Sequence, residues 1–274
     1  MIALKPILYK TFKVLKLIYK ALNHVFRIVL LTFILYSIAF SLACTYAVYR
    51  AYNYGMEILN EVEELKTKQP EQSAFMKSLG NKAEIKHKFV PLDSISPYMQ
   101  KAVIAGEDAG FYFHPGFDVR AIAEALEVNQ KKNKVMFGGS TITQQLAKNL
   151  FLSNERSWER KFKELAYTIL MEKYLGKDRI LELYLNYAQW GSNIFGCEEA
   201  AQHFYKKNCS KLSIDQSINL VAMLASPGRH HPEMKESRFM QERRNMIYRN
   251  MFPKKDSLLV DSLRSLTAPP AIVD

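Results

Sequence analysis

Residues 106–118 read GEDAGFYFHPGFD, so that two adjacent acids, Glu107 and Asp108, are followed within a few positions by Phe111, Tyr112, Phe113 and Phe117. A carboxylate set against apolar surface is costly unless it is paired, and such surroundings raise the pKa of a carboxyl group. Two readings are open: acids facing water on a surface turn, or one acid tuned as a base. A second stretch, GGSTITQQLAKNLFL at 138–152, offers two glycines, then Ser140 and Thr141, with Ser140 suited to cap a helix. On that helix Gln144 pairs with Lys148 and Gln145 with Asn149, each one turn apart. An amide- and amine-lined face suits a sugar or a phosphate, and equally suits plain solvation. A third stretch crowds Arg160, Lys161 and Lys163 into the first turns of a helix, with Glu164 four residues after Arg160. Positive charge at a helix N-terminus opposes the macrodipole, a penalty that an anionic ligand would remove. The alternative is an Arg160–Glu164 pair on a solvated face, worth roughly a few tenths of a kcal/mol.

Helices must position these groups. Ser96-Pro97 offers a helix start, and Met99, Val103 and Ile104 give it an apolar stripe. Further helices are predicted over 119–129, 140–151, 157–174, 178–187, 198–204, 214–225 and 233–251. Ile180, Leu183, Tyr184 and Tyr187 fall at i, i+3, i+4 and i+7, an amphipathic face. Alternating runs are few, so the expected fold class is mostly α.

Ahead of these helices, Ile28 to Tyr49 carries no charge over about 22 residues, the length needed to cross a ~30 Å hydrocarbon core. Lys5, Lys10, Lys13, Lys16, Lys20 and Arg27 precede it with no acid among them. The positive-inside rule then puts the N-terminus in the cytoplasm and the chain beyond Tyr49 outside. A cleavable signal peptide is the competing reading, but its apolar core would be shorter. The expected layout is a basic cytoplasmic segment at 1–27, a transmembrane anchor at 28–49, a stalk at 50–86, a globular domain at 87–252 and a tail at 253–274. The net charge of +11 favours a polyanionic partner, and an extracytoplasmic domain makes nucleic acid a poor candidate among them. The three cysteines, Cys44, Cys197 and Cys209, show no metal spacing; whether Cys197 and Cys209 pair is open.

Taken together, EDAGFYFHPGFD, GGSTITQQLAKN, RKFKE, KDRILELYLN and ERRNMIYRNM occur in the order and with the spacing of glycosyltransferase family 51, across roughly Val90 to Met251. The chain resembles the monofunctional, membrane-anchored peptidoglycan glycosyltransferases, with no KTG or SxxK-with-SxN set to suggest a transpeptidase. The resemblance implies a lysozyme-like helical domain in the inner membrane, facing the periplasm. It implies that the enzyme polymerises lipid II: the lipid-diphosphate-linked glycan is transferred to the GlcNAc 4-hydroxyl, with inversion to a β-1,4 bond and release of undecaprenyl diphosphate. By the same resemblance Glu107 is the base, and its aromatic neighbours would keep it in apolar surroundings. Glu164 is the second carboxylate, holding a divalent ion such as Mg2+ or Mn2+ or orienting basic groups. Lys148, Arg160 and Lys161 would neutralise the diphosphate, while Ser140, Thr141, Gln144, Gln145 and Asn149 would contact substrate. Asp108, His114, Glu182 and Asn186 are read as scaffold. The basic stretch between Glu127 and Phe137 falls where the family has a mobile segment over the donor site. Lipid II, the growing lipid-linked glycan, the membrane and other cell-wall synthesis proteins are the partners implied. The rival readings are a membrane-anchored lytic enzyme, which would need a protonated acid for an alkoxide leaving group, and a non-catalytic wall-binding module.

Overall fold

The computed structural model describes residues 4–80, 84–131, 139–152, 157–234 and 237–253. Helix α1 runs from Leu4 to Glu64. Residues up to Glu57 form one unit, and a second, packed unit begins at Ile58. Among the described residues α1 is the one helix long and apolar enough to cross a membrane.

The last turns of α1 correct the expected layout. Ile58, Val62 and Leu65 are buried and join the core, as does Met76 of the short helix α2 (Ala74–Ser78). These positions recur at i, i+4 and i+7, so one face of the charged segment is apolar. The packed unit therefore starts at Ile58 rather than at 87, and most of the expected stalk is part of it.

The domain is built from helices α3 (Pro97–Glu107), α4 (Val119–Lys131), α5 (Ile142–Phe151), α6 (Trp158–Tyr174), α7 (Lys177–Tyr187), α8 (Cys197–Tyr205), α9 (Ile214–Met223) and α10 (Arg238–Met251). Their starts follow from capping. Ser96, Thr141, Ser157, Ser213 and Ser237 each accept a backbone N–H of the helix they open. α5 packs against α6 and α7, while α3 packs against α9 and α10. One small sheet lay beyond sequence reading: β1 (Lys86–His87) pairs in parallel with β2 (Ile194–Phe195).

The KDRILELYLN stretch forms a scaffold around α7. Asn186 is fully buried; its Oδ1 accepts from Val90 N at 2.8 Å, and its Nδ2 donates to the carbonyls of Val90 and Glu182. Glu182 accepts from Leu92 N at 2.8 Å and pairs with Arg179. The segment at Val90–Leu92 is thereby fixed to α7, which in turn supports α5.

Candidate active site

Glu107 is the last residue of α3 and Asp108 is its C-cap. Asp108 is buried and spends its carboxylate on structure. Oδ2 accepts from Ile142 N at 3.0 Å, and Oδ1 lies 2.8 Å from His114 Nε2. It thus ties the end of α3 to the start of α5. A second latch joins Thr141 Oγ1 to the Gly116 carbonyl at 2.6 Å. Gly116 has φ +96°, and a Cβ there would meet α6 side-chain carbons of Thr168 and Glu172 at 2.7 Å, so the turn lies flat on α6 only as glycine. Lys177 completes the clasp, donating to the His114 carbonyl and to Glu172 at 2.8 Å each.

Held this way, Glu107 faces two donors. Arg243 Nη2 donates to Oε1 at 2.8 Å, and Gln145 Nε2 donates to Oε2 at 3.0 Å. The Gln145 amide is itself oriented, because the Tyr184 hydroxyl donates to its Oε1 at 3.0 Å. Burial, and then the charge of Glu107, push the Tyr184 phenol well above its ordinary value, so it remains a donor. Beside Glu107 opens a cavity of about 350 Å³, whose lining includes Asp118, Arg120, Ser140, Thr141, Met246 and Asn250.

The rings expected around Glu107 do not face its cavity. None of the four rings is among the residues lining its cavity. Phe111 turns into the core under Lys177, Tyr112 donates to Asp178, and Phe113 is 93% exposed. The Glu107 carboxylate is held by a cation and an amide rather than packed against those rings.

The second cluster lies on α6, with Lys148 of α5 beside it. Glu164 accepts from Arg160 Nη1 at 2.9 Å through one oxygen and from Lys161 Nζ through the other. Lys148 of α5 sits within the field of this trio. Burial lowers its pKa first; Glu164 opposes the shift, and Arg160 and Lys161 add to it. Gln145 and Lys148 are three residues apart on α5, so they share a side and differ by about 4.5 Å in rise. A single helix therefore carries both the amide that touches Glu107 and the ammonium that joins the cationic group.

Other expectations divide. Ser140 is exposed on the cavity. Thr141, rather than Ser140, is the N-cap of α5, and its hydroxyl and the Gln144 side chain form a reciprocal capping box. Both are buried, and the Thr141 hydroxyl and the Gln144 carbonyl oxygen serve the fold rather than a ligand. Asn149 is half-buried farther along α5. The basic stretch enters the described residues only as the end of α4; residues 132–138 lie outside them. For a divalent ion Glu164 is a poor ligand, since both oxygens are already held by cations. Among the described residues no three His, Cys, Asp or Glu side chains gather to hold a metal. Arg243 was missed by sequence reasoning. Its signal was present: buried Met240 and Ile247 flank it at −3 and +4, so this arginine falls on the inward face of α10 and requires an acid there.

The helical domain orients one carboxylate beside an open cavity, and one turn along α5 from the amide that holds it Lys148 joins Arg160 and Lys161 of α6, an arrangement suited to group transfer from an anionic leaving group. Comparison with known proteins agrees. The family model described as Transglycosylase matches residues 72–252. The biosynthetic peptidoglycan transglycosylase of Thiobacillus denitrificans is 45% identical over 189 residues, 66% of this chain and 81% of that protein. Its namesake in Nitrosospira multiformis is 42% identical over the same length, covering 66% and 82%. That of Ralstonia nicotianae is 51% identical over 143 residues, covering 52% and 61%. The chain belongs to the transglycosylase family, as a lysozyme-like helical domain behind one apolar N-terminal helix.

Proposed function

We propose that this protein is a monofunctional peptidoglycan glycosyltransferase that polymerises lipid II, with Glu107 as general base and Lys148, Arg160 and Lys161 as the diphosphate cradle. The acceptor 4-hydroxyl attacks the anomeric carbon of the lipid-linked donor and gives up its proton to Glu107. The new C–O bond forms as the bond to the diphosphate breaks, and the leaving group keeps the electron pair. Attack opposite the leaving group inverts the centre to β. A hydroxyl needs a positioned base at neutral pH. A diphosphate needs no proton if cations take up its charge, the kind of preorganised electrostatics that often dominates catalysis.

The observation that carries this reading is the shared helix: Gln145 holds Glu107 while Lys148 faces the Arg160–Lys161–Glu164 group. A lytic enzyme acting on an alkoxide leaving group would have no use for that group. Glu164 is assigned to orienting Arg160 and Lys161. Both of its oxygens are taken by these cations, so it is not proposed as a ligand of a divalent ion.

The wider placement is part of the same proposal. α1 anchors the protein in the inner membrane with its N-terminus in the cytoplasm and the domain in the periplasm, where lipid II and the growing glycan are presented and other cell-wall synthesis proteins work. The test is purified full-length protein with lipid II. Long glycan strands are expected, with polymerisation lower by about 10²–10⁴-fold in Glu107→Gln. Shortening of preformed glycan without use of lipid II would replace this function with a lytic one.

A further inference from the structure

α1 is longer than a membrane crossing requires. The uncharged run Ile28–Tyr49 alone rises roughly 33 Å, already enough for a ~30 Å hydrocarbon core. Yet the helix is continuous from Leu4, and the side chains from Tyr9 to Arg27 are all exposed. Fitting Tyr9–Tyr49 into the hydrocarbon would place roughly 60 Å of helix in that core. The tilt required is about 60°, beyond the range of about 0–40° found for such helices. The segment before Ile28 must leave the hydrocarbon.

Water is an unfavourable alternative. Phe12, Leu15, Tyr19, Leu22 and Phe26 recur three or four residues apart and form one apolar, exposed face. Lys13, Lys16, Lys20, His24 and Arg27 recur with the same spacing on another side, within about 80° of arc. The first acid in the chain is Glu57, so the stripe has no counter-charge within its own segment. One face demands an apolar medium, the other demands anions, and both adjoin the membrane span.

We propose that α1 bends near Arg27–Ile28 in the bilayer, so that residues 9–27 lie as an interfacial helix that binds anionic phospholipid in the leaflet on the N-terminal side. Lys13, Lys16, Lys20 and Arg27 meet lipid phosphates, while Phe12, Tyr19, Leu22 and Phe26 enter the acyl border. The inference rests on α1 being a membrane anchor and is independent of the polymerase chemistry. Its effect is to hold the enzyme where anionic lipid is dense.

The full-length protein, with Cys44→Ser, is reconstituted into phosphatidylcholine vesicles with or without phosphatidylglycerol. It carries a fluorophore on Tyr19→Cys or on Phe33→Cys and is quenched by spin-labelled acyl chains. Quenching at position 19 is expected to be strong with phosphatidylglycerol, weak without it, and reduced by salt. Neutralising Lys13, Lys16, Lys20 and Arg27 to Gln should weaken it by about fivefold in partitioning per charge removed. Position 33 should be quenched in every bilayer and variant, and polymerisation in detergent should be unchanged. Equal quenching at 19 with and without the anionic lipid overturns the proposal, as does no quenching at 19 together with cross-linking of 19 between two copies. Loss of quenching at 33 instead removes the anchor reading, and the proposal with it.

Discussion

The two carboxylates of the site are built alike and placed differently. Each accepts through both oxygens, Glu107 from Arg243 and Gln145, Glu164 from Arg160 and Lys161. Glu164 takes its partners from its own helix at i−4 and i−3, and its side chain is 5% exposed. Glu107 takes one from α10 and one from α5, is 13% exposed, and lines an open cavity. A carboxylate satisfied within one helix organises that helix. One held by two distant elements at the edge of a cavity is fixed in direction and open to a reactant. This difference supports the proposal of Glu107 as the base and Glu164 as the residue that organises Arg160 and Lys161.

The largest effect expected is from Glu107→Gln, which keeps shape and removes the proton acceptor. Lipid II polymerisation should fall by about 10²–10⁴-fold, the usual contribution of a positioned base, with the folded state intact by circular dichroism. Glu164→Gln should cost less, on the order of 10²-fold in kcat/KM, because Arg160 and Lys161 lose orientation while the base remains. It should also lower stability by about 1–2 kcal/mol, since a buried acceptor of two cations is lost but Lys161 is partly solvated. If Glu164→Gln proved the more damaging to kcat, the roles would be reversed. Third comes Arg243→Gln, expected to reduce kcat by about 10-fold through misorientation of Glu107. Arg243→Lys should recover part of that loss, because the charge is kept and the fork is not.

Arg243 also marks where sequence reading ran out. The anchor was legible because an uncharged run of that length suits a bilayer and little else, and the helices were legible because Ser and Thr caps sit at their starts. Glu107, Lys148 and Arg160 were legible as motif members. What joins Glu107 to Arg243 crosses 136 positions, and no local period carries that pairing. The aromatic rings misled for the opposite reason. They adjoin Glu107 in sequence, but the tight turn after α3 sends Phe111 inward and Phe113 outward. Ile58, Val62 and Leu65 escaped notice because Glu61, Glu63 and Glu64 dominate the composition of a segment whose buried face is narrow.

The smallest effect sharpens the comparison most, because it separates charge on the cradle from stability of the fold. Burial holds Lys148 below the ordinary lysine value of 10.5, with Glu164 opposing and Arg160 and Lys161 reinforcing the shift. As pH rises, Lys148 loses its proton before an exposed lysine would, so the alkaline limb of kcat/KM should begin below that value. Stability moves the other way. Between the folded and unfolded pKa the unfolded chain binds more protons at this site, so the contribution of Lys148 to stability increases with pH across that window. Rate should therefore fall while the contribution of Lys148 to stability rises, so deprotonation of Lys148 does not cause the limb by unfolding the protein, and a melt at the same pH separates the two. Lys148→Arg carries a guanidinium that does not deprotonate in this range. It should move the limb to higher pH at some loss of rate. A limb that stayed in place would assign it to another group and would separate Lys148 from the leaving-group charge.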